Sequence, residues 1–325
     1  TGDSAYVTIN VPILTNKVPV KHSSLSLTDA LIHKHPIEFI DPKTQKDTKC
    51  PVLSRDLFMK IFLTSVMTGW AVSSIVYLSG DLYEYNSDNI ELMGNHVERS
   101  IGMPRSRKDS ADWRANVSMG EFKKVKKAFD QKGINIFAYK PYCMSSRNQD
   151  EEIEYAMKAT KALGADYVTA ELTDEANTKR ISYYAEKHNV KVGYHGHLQS
   201  TDIAWDFALN DSENNYINLD IGHYIAVGGD NTKETLLKFI EKNHNRICSL
   251  HLKDRNAPTE MSPNDRDNKI WGQGDTPIKE VLLLMQKNSY DFTATIEREY
   301  PIPEGSNVVD EVIKCMDYCK SVLDS

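Results

Sequence analysis

From about residue 71 onward, short apolar runs alternate with stretches in which apolar residues recur every three or four positions. These are the rhythms of buried strands and amphipathic helices. The strand-like runs fall at 72–78, 90–93, 134–139, 167–170, 191–194, 216–219, 247–250 and 292–296. Helical patterns fill the intervals at 119–131, 150–163, 178–188, 201–209, 232–242, 277–286 and 308–323. The first of these places Phe122, Val125 and Phe129 on one face. The second opens on Asp150, Glu151 and Glu152 and ends at Gly164, as the helix dipole and a left-handed cap favour. Pro277 suits a first helical position.

Eight strands in about 255 residues, each usually followed by a helix, predict an α/β fold, a (β/α)8 TIM barrel with an N-terminal extension. A doubly wound sheet would carry a glycine-rich phosphate loop after its first strand. Neither GxGxxG nor GxxxxGK[ST] occurs there. One interval is out of pattern: only 11 residues separate the first two strand runs, short for a crossover helix.

The division expected is an extension over 1–70 and the barrel over 71–325. Pro12, Pro19, Pro36, Pro42 and Pro51 break the extension, with β-prone pieces at 5–11 and 37–40 between them. His33 and His35 lack acidic or cysteine neighbours and read as a surface pair. The run 61–78 is uncharged for 18 residues, long enough for a membrane span, and follows Met59-Lys60 in the manner of a signal peptide. Thr64, Ser65, Thr68, Gly69, Ser73 and Ser74 dilute it, so a buried helix or strand pair is expected. A soluble chain without stable membrane insertion follows, in the cytoplasm or exported to the periplasm.

Composition narrows the class. The chain has 39 Lys+Arg against 46 Asp+Glu, a net charge of −7, with 40% apolar residues. Such numbers exclude a mostly disordered chain, a collagen-like repeat and a polytopic membrane protein. The acidic balance argues against nucleic acid as a partner, since phosphate neutralisation needs a basic surface. Five scattered cysteines without a CxxC point to buried small hydrophobes, not a disulfide framework.

In a barrel, chemistry gathers at the C-terminal ends of the strands. Reading those positions gives Glu91, Lys140, Glu171, His195 with His197, Asp220 with His223, His251 with Lys253 and Asp254, and Glu297 with Glu299. Imidazoles and carboxylates at nearly every end form a convergent constellation. Asp220, His251 and Glu297 together offer mixed nitrogen and oxygen ligation, suited to Mn²⁺, Co²⁺, Zn²⁺ or Mg²⁺. His195 and His197 are two apart and point the same way on a continuing strand.

VGYHGH (192–197), NLDIGHY (218–224), SLHLKDR (249–255), WGQGDTPI (271–278) and TIEREYPIPEGS (295–306) resemble the sugar phosphate isomerase/epimerase family of xylose isomerase-like TIM barrels. ELMGNHVE (91–98) and GINIFAYKPY (133–142) extend the resemblance from about residue 89 to the end. It implies a divalent metal, most often Mn²⁺, with Asp220, His251 and Glu297 matching metal ligands. The family's commoner fourth ligand is a glutamate ending the fifth strand. His195 stands there, so His195 and Glu171 are both candidates for the fourth position.

The chemistry implied is proton abstraction beside a sugar carbonyl through a metal-stabilised enediolate. Glu297, Glu171 and His195 are the candidate bases. His197, His223, Lys253 and Lys140 are candidates for contact with substrate oxygens, and Trp113 or Trp271 for covering a sugar ring. The loop 254–276 is a candidate lid. No glycine-rich phosphate cradle marks the last strand ends, which favours an unphosphorylated small-molecule carbohydrate. Isomerisation, epimerisation and β-elimination on a 3-keto-glycoside share the same first step, so a lyase is the alternative. A non-catalytic carbohydrate-binding barrel is an alternative of another class. Endonuclease IV-like repair proteins share the barrel but need a basic DNA face. Homo-oligomerisation is left open.

Overall fold

The computed structural model describes residues 89–131 and 134–325, with the backbone of three short strands ahead of them. Those strands are β1 (Glu38–Ile40), β2 (Asp47–Lys49) and β3 (Ser74–Val76). The β1 and β2 strands form an antiparallel pair with Glu38 opposite Lys49. The rest of the 1–70 extension and of the uncharged 61–78 run lies outside the described residues. Among those described, no helix is long and apolar enough to cross a membrane.

Seven parallel strands form the barrel wall: β4 (Asn89–Met93), β5 (Asn135–Lys140), β6 (Tyr167–Glu171), β7 (Lys191–His195), β8 (Asn215–Asp220), β9 (Ile247–Leu252) and β12 (Thr293–Ile296). Their order around the sheet is the order of the chain, and nearly every residue in them is buried. Such burial on both faces is what a ring of crossover helices imposes on a parallel sheet. Between β9 and β12 lies a small antiparallel pair, β10 (Asp254–Arg255) and β11 (Asn268–Lys269).

The eighth place departs from the sequence expectation. Here β3 pairs antiparallel with β12, Ile75 opposite Thr295, where a parallel first strand was expected over 72–78. The connection to β4, residues 77–88, is at the lower limit for a parallel crossover. A parallel crossover needs a dozen or more residues, usually with a helix, whereas an antiparallel return needs only a few. The ring is therefore a nearly closed barrel of seven parallel strands with one reversed strand at the seam.

Outer helices follow the pattern where the apolar stripe is strong. They include α3 (Met119–Asp130), α4 (Asp150–Leu163), α5 (Glu175–His188), α8 (Lys233–Asn243), α9 (Ile278–Asn288) and α10 (Val308–Leu323). Capping fixes their starts: Asp174 accepts from the Asn177 amide, Thr232 from Thr235 and Asn307 from Asp310. At α4, Glu152 reaches back to the Gln149 amide at 3.0 Å. Gly164, at φ 68°, closes that helix as expected. Three short helices escape the sequence pattern: α1 (Gly94–Ser100), α2 (Arg107–Asn116) and α7 (Ile221–Val227). The α2 helix is mostly polar, and α7 is apolar all round, so neither shows an apolar stripe. After β7 a helix was expected over 201–209; turns occupy its start and α6 spans Asp206–Asp211.

A buried charge cluster holds α2 to the barrel. Arg114 meets both oxygens of Glu98, at 2.8 and 2.9 Å, and Glu152 at 2.9 Å, while Tyr155 donates to Glu98 at 2.9 Å. Removing one partner of a buried pair leaves a charge without compensation. Arg114→Met should therefore cost about 3–5 kcal/mol in a urea unfolding titration. A loss within the ordinary surface range would show that Arg114 does not hold this corner.

Candidate functional site

The parallel register sets the polar residues in one layer at the strand ends. Glu171 pairs across from His195, and Asp220 from His251. Lys253 and Glu297 follow directly on β9 and β12. Asp220 also starts α7: its Oδ1 accepts the His223 amide at 2.7 Å, which fixes the carboxylate and turns the chain.

His251 is the centre of the layer. Its Nδ1 lies 2.9 Å from Glu297 Oε2 and its Nε2 lies 2.7 Å from Glu91 Oε2. With a carboxylate on each nitrogen, the ring is an imidazolium donating both ways. Burial works against that charge, but Glu91 and Glu297 outweigh it and raise the imidazole to about 10. The same contacts act in reverse on the acids. Burial pushes Glu297 up, yet Lys253 and His251 bring it well below the usual carboxylate range. Glu91 is lowered too, His251 and Lys140 outweighing its burial.

Lys253 is 1% exposed, with its ammonium 3.0 Å from Asp220 Oδ2, 3.0 Å from Glu297 Oε1 and 2.9 Å from Glu299 Oε2. Of these three contacts, only that to Glu299 has the alignment of a hydrogen bond. Asp220 Oδ2, though beside the ammonium, is buried without a hydrogen-bond partner. Burial raises the Asp220 carboxyl, more than Lys253 lowers it. Asp254 accepts the amides of Gly272, Gly274 and Thr276 and ties the end of the loop 254–276 to the barrel.

The remaining predicted residues surround this centre. Glu171, nearer the rim, holds Lys140 at 3.0 Å and His197 Nε2 at 2.7 Å. Its carboxyl is lowered because Lys140 and His197 outweigh burial. His195 is 2% exposed; burial foremost, then the charges of Lys140 and His251, holds it well below its usual range and so neutral. His223 is lowered to about 2 by burial, then by Lys253 and Arg255. Arg255 donates to His223 Nδ1 at 2.7 Å and the Lys253 ammonium lies 3.3 Å from its Nε2, so the ring sits between two cations. Trp113 packs edge-on against Tyr155 and Trp271 against Tyr318, both on helices. Sequence reasoning named Glu91 at a strand end but gave it no role, and passed over Asn218, Arg255 and Tyr142. Asn218 lies 3.3 Å from both His195 and His251. Tyr142, two residues past Lys140, is 43% exposed.

One atom each from His195, Asp220 and His251 lies within 4.8 Å of the others, all three side chains being buried. Glu297 adjoins this set through His251 and Lys253, and Glu171 stands outside it beside His197. The nitrogen and oxygen donors, and the unpartnered Asp220 oxygen, fit a divalent cation. Charge agrees. Among the described residues, Glu171 pairs with Lys140, Lys253 is shared by Asp220, Glu297 and Glu299, and Glu91 meets His251. A second group, His195, His197 and His223, is equally close, but it contains no carboxylate and Arg255 already holds His223 Nδ1.

A family model described as xylose isomerase-like TIM barrel matches residues 95–319. The chain belongs to that family. A search of curated proteins found no match. Among solved structures, a xylose isomerase domain protein from Planctomyces limnophilus is similar at a TM-score of 0.54 and 14% identity, over 72% of this chain and 88% of that one. An IOLI protein crystallised with a bound zinc atom gives 0.52 and 16%, over 73% and 88%. D-psicose 3-epimerase from Clostridium cellulolyticum H10, solved with D-tagatose, gives 0.50 and 14%, over 73% and 89%. At these identities the likeness is one of fold.

A xylose isomerase-like barrel stripped of metal should depend on His251 for stability. Its pKa is about 10 folded and near 6.5 unfolded, so its contribution is complete below pH 6.5 and is lost as pH rises through 10. Scanning calorimetry in chelator should show the melting temperature falling across that window, and His251→Gln should flatten the fall. Equal slopes in the two proteins would contradict the imidazolium assignment.

Proposed function

We propose that this chain is a divalent-metal-dependent sugar isomerase or epimerase, acting by proton abstraction beside a carbonyl. The buried convergence of His195, Asp220 and His251, with an Asp220 oxygen left unpartnered, carries the proposal. Membership of the xylose isomerase-like family supports it. His195, Asp220 and His251 would hold the ion, with Glu297 adjoining, and this mixed donor set suits Mn²⁺ while accepting Zn²⁺, Co²⁺ or Mg²⁺. When bound, the ion supplies Lewis acidity toward the substrate's carbonyl and neighbouring hydroxyl oxygens.

The chain's own residues handle the proton. Glu171 on β6 and Glu297 after β12 stand four places apart in the eight-strand order, on opposite walls of the mouth. Carboxylates so placed reach a substrate carbon from opposite faces, one taking the proton and the other returning it. Ionic and hydrogen-bond partners hold each as the base: Lys140 and His197 for Glu171, Lys253 and His251 for Glu297. His223, kept neutral by burial and by the charges of Lys253 and Arg255, is a contact for a substrate oxygen. Tyr142 offers an exposed ring past the end of β5, a surface on which a sugar face can rest.

Incubation of candidate keto- and aldo-sugars with Mn²⁺-loaded protein in D₂O tests the proposal by NMR. Deuterium should enter at the carbon beside the carbonyl, and Asp220→Asn should slow entry by at least about 100-fold, the scale of losing one key group. Expulsion of a β-substituent would assign the lyase outcome on a keto-glycoside. Sugar binding that ignores chelator, with no deuterium entry, would make the chain a carbohydrate-binding barrel and defeat the proposal.

A further inference from the structure

We infer that Lys253 is a resident counter-cation that competes with the divalent ion for Asp220 and Glu297, and so sets how tightly the site holds metal. The inference rests on the metal-binding reading above. Its basis is a shared atom. Asp220 is a member of the converging donor set, and its free oxygen, Oδ2, is 3.0 Å from the Lys253 ammonium. Glu297, which adjoins the set, is also 3.0 Å from the same ammonium. A cation arriving at these oxygens meets a positive charge already in place, buried where water screens little.

The attachments of Lys253 are unequal. Toward Glu299 it makes an aligned hydrogen bond of 2.9 Å, while toward Asp220 and Glu297 it is held by proximity of charge alone. The stem is fixed from the other side. Gly222, at the start of α7, lies so near that a Cβ there would stand 2.7 Å from the Lys253 carbonyl oxygen and would overlap its side chain. With the stem clamped, the head keeps Glu299, with His223 Nε2 3.3 Å away, and has two carboxylates that it can yield. Without metal, the ammonium compensates three carboxylates and lets the mouth fold. With metal, it falls back on Glu299. Metal affinity is thus lower than these donors alone would give, and the metal-free barrel is correspondingly more stable.

Calorimetric titration of chelator-stripped protein with MnCl₂ tests this. Three proteins are compared: wild type, Lys253→Met, and the double variant Lys253→Met with Glu299→Gln. The single variant should bind Mn²⁺ about tenfold or more tightly than wild type, since a like charge next to the ion is gone. In EDTA it should melt at a lower temperature and regain that loss when Mn²⁺ is added. The double variant keeps the net charge of wild type and leaves no carboxylate stranded at Glu299, so it carries the test even where the single variant does not fold. It too should bind more tightly, which separates local competition from overall charge. If wild type binds Mn²⁺ and the double variant binds no more tightly, the inference is overturned while the metal reading stands. If no protein binds Mn²⁺, both fall. Binding by the variants alone would mean that Lys253 excludes the ion altogether, which upholds the competition.

Discussion

Five carboxylates buried or half-buried at one end of a barrel must find positive charge, and that requirement organises the rest of this molecule. Unpaired, each would cost several kcal/mol on removal from water. Lys140 and Lys253 supply fixed charge, and His251 supplies a further one by holding a proton it would ordinarily lose near neutral pH. The outcome is a site that is coherent without an ion, yet keeps an oxygen of Asp220 unspent.

The barrel earns its place by supplying that geometry. Parallel register brings residues far apart in sequence onto neighbouring strand ends, as Asp220 and His251 show. The turn out of β8 does double duty, since the same carboxylate that starts α7 presents its second oxygen to the site. A glycine at 222 lets that helix lie on the stem of Lys253. The loop after β9 is tied at its far end to Asp254, which accepts the amides of Gly272, Gly274 and Thr276.

Much of this was legible in the residue pattern, for identifiable reasons. Continuous apolar runs mark strands buried on both faces and period-3.6 runs mark helices that bury one stripe, and the longer strands and helices of the barrel carry such runs. The reversed β3 was not legible, because a short apolar run has no direction; only the brief connection to β4 hinted at it. The α7 helix was missed because an element buried all round has no periodicity. At the site, residue types at strand ends located the layer, but not who touches whom. Glu91 looked like one more strand-end acid until His251 was seen between it and Glu297. Trp113 and Trp271 were candidates for covering a sugar ring, whereas Trp113 lies on α2 and the two rings pack against Tyr155 and Tyr318. Pairings of this sort depend on register and rotamer, which spacing along a chain does not encode.

The account's central claim is that a single divalent cation belongs among His195, Asp220 and His251. Anomalous diffraction at the manganese edge, from crystals grown with MnCl₂, tests it most directly. A peak in bonding contact with those three side chains, with the Lys253 ammonium withdrawn from Asp220, is the result expected. A fully formed barrel with no peak there, and Lys253 still seated against Asp220 and Glu297, would contradict it.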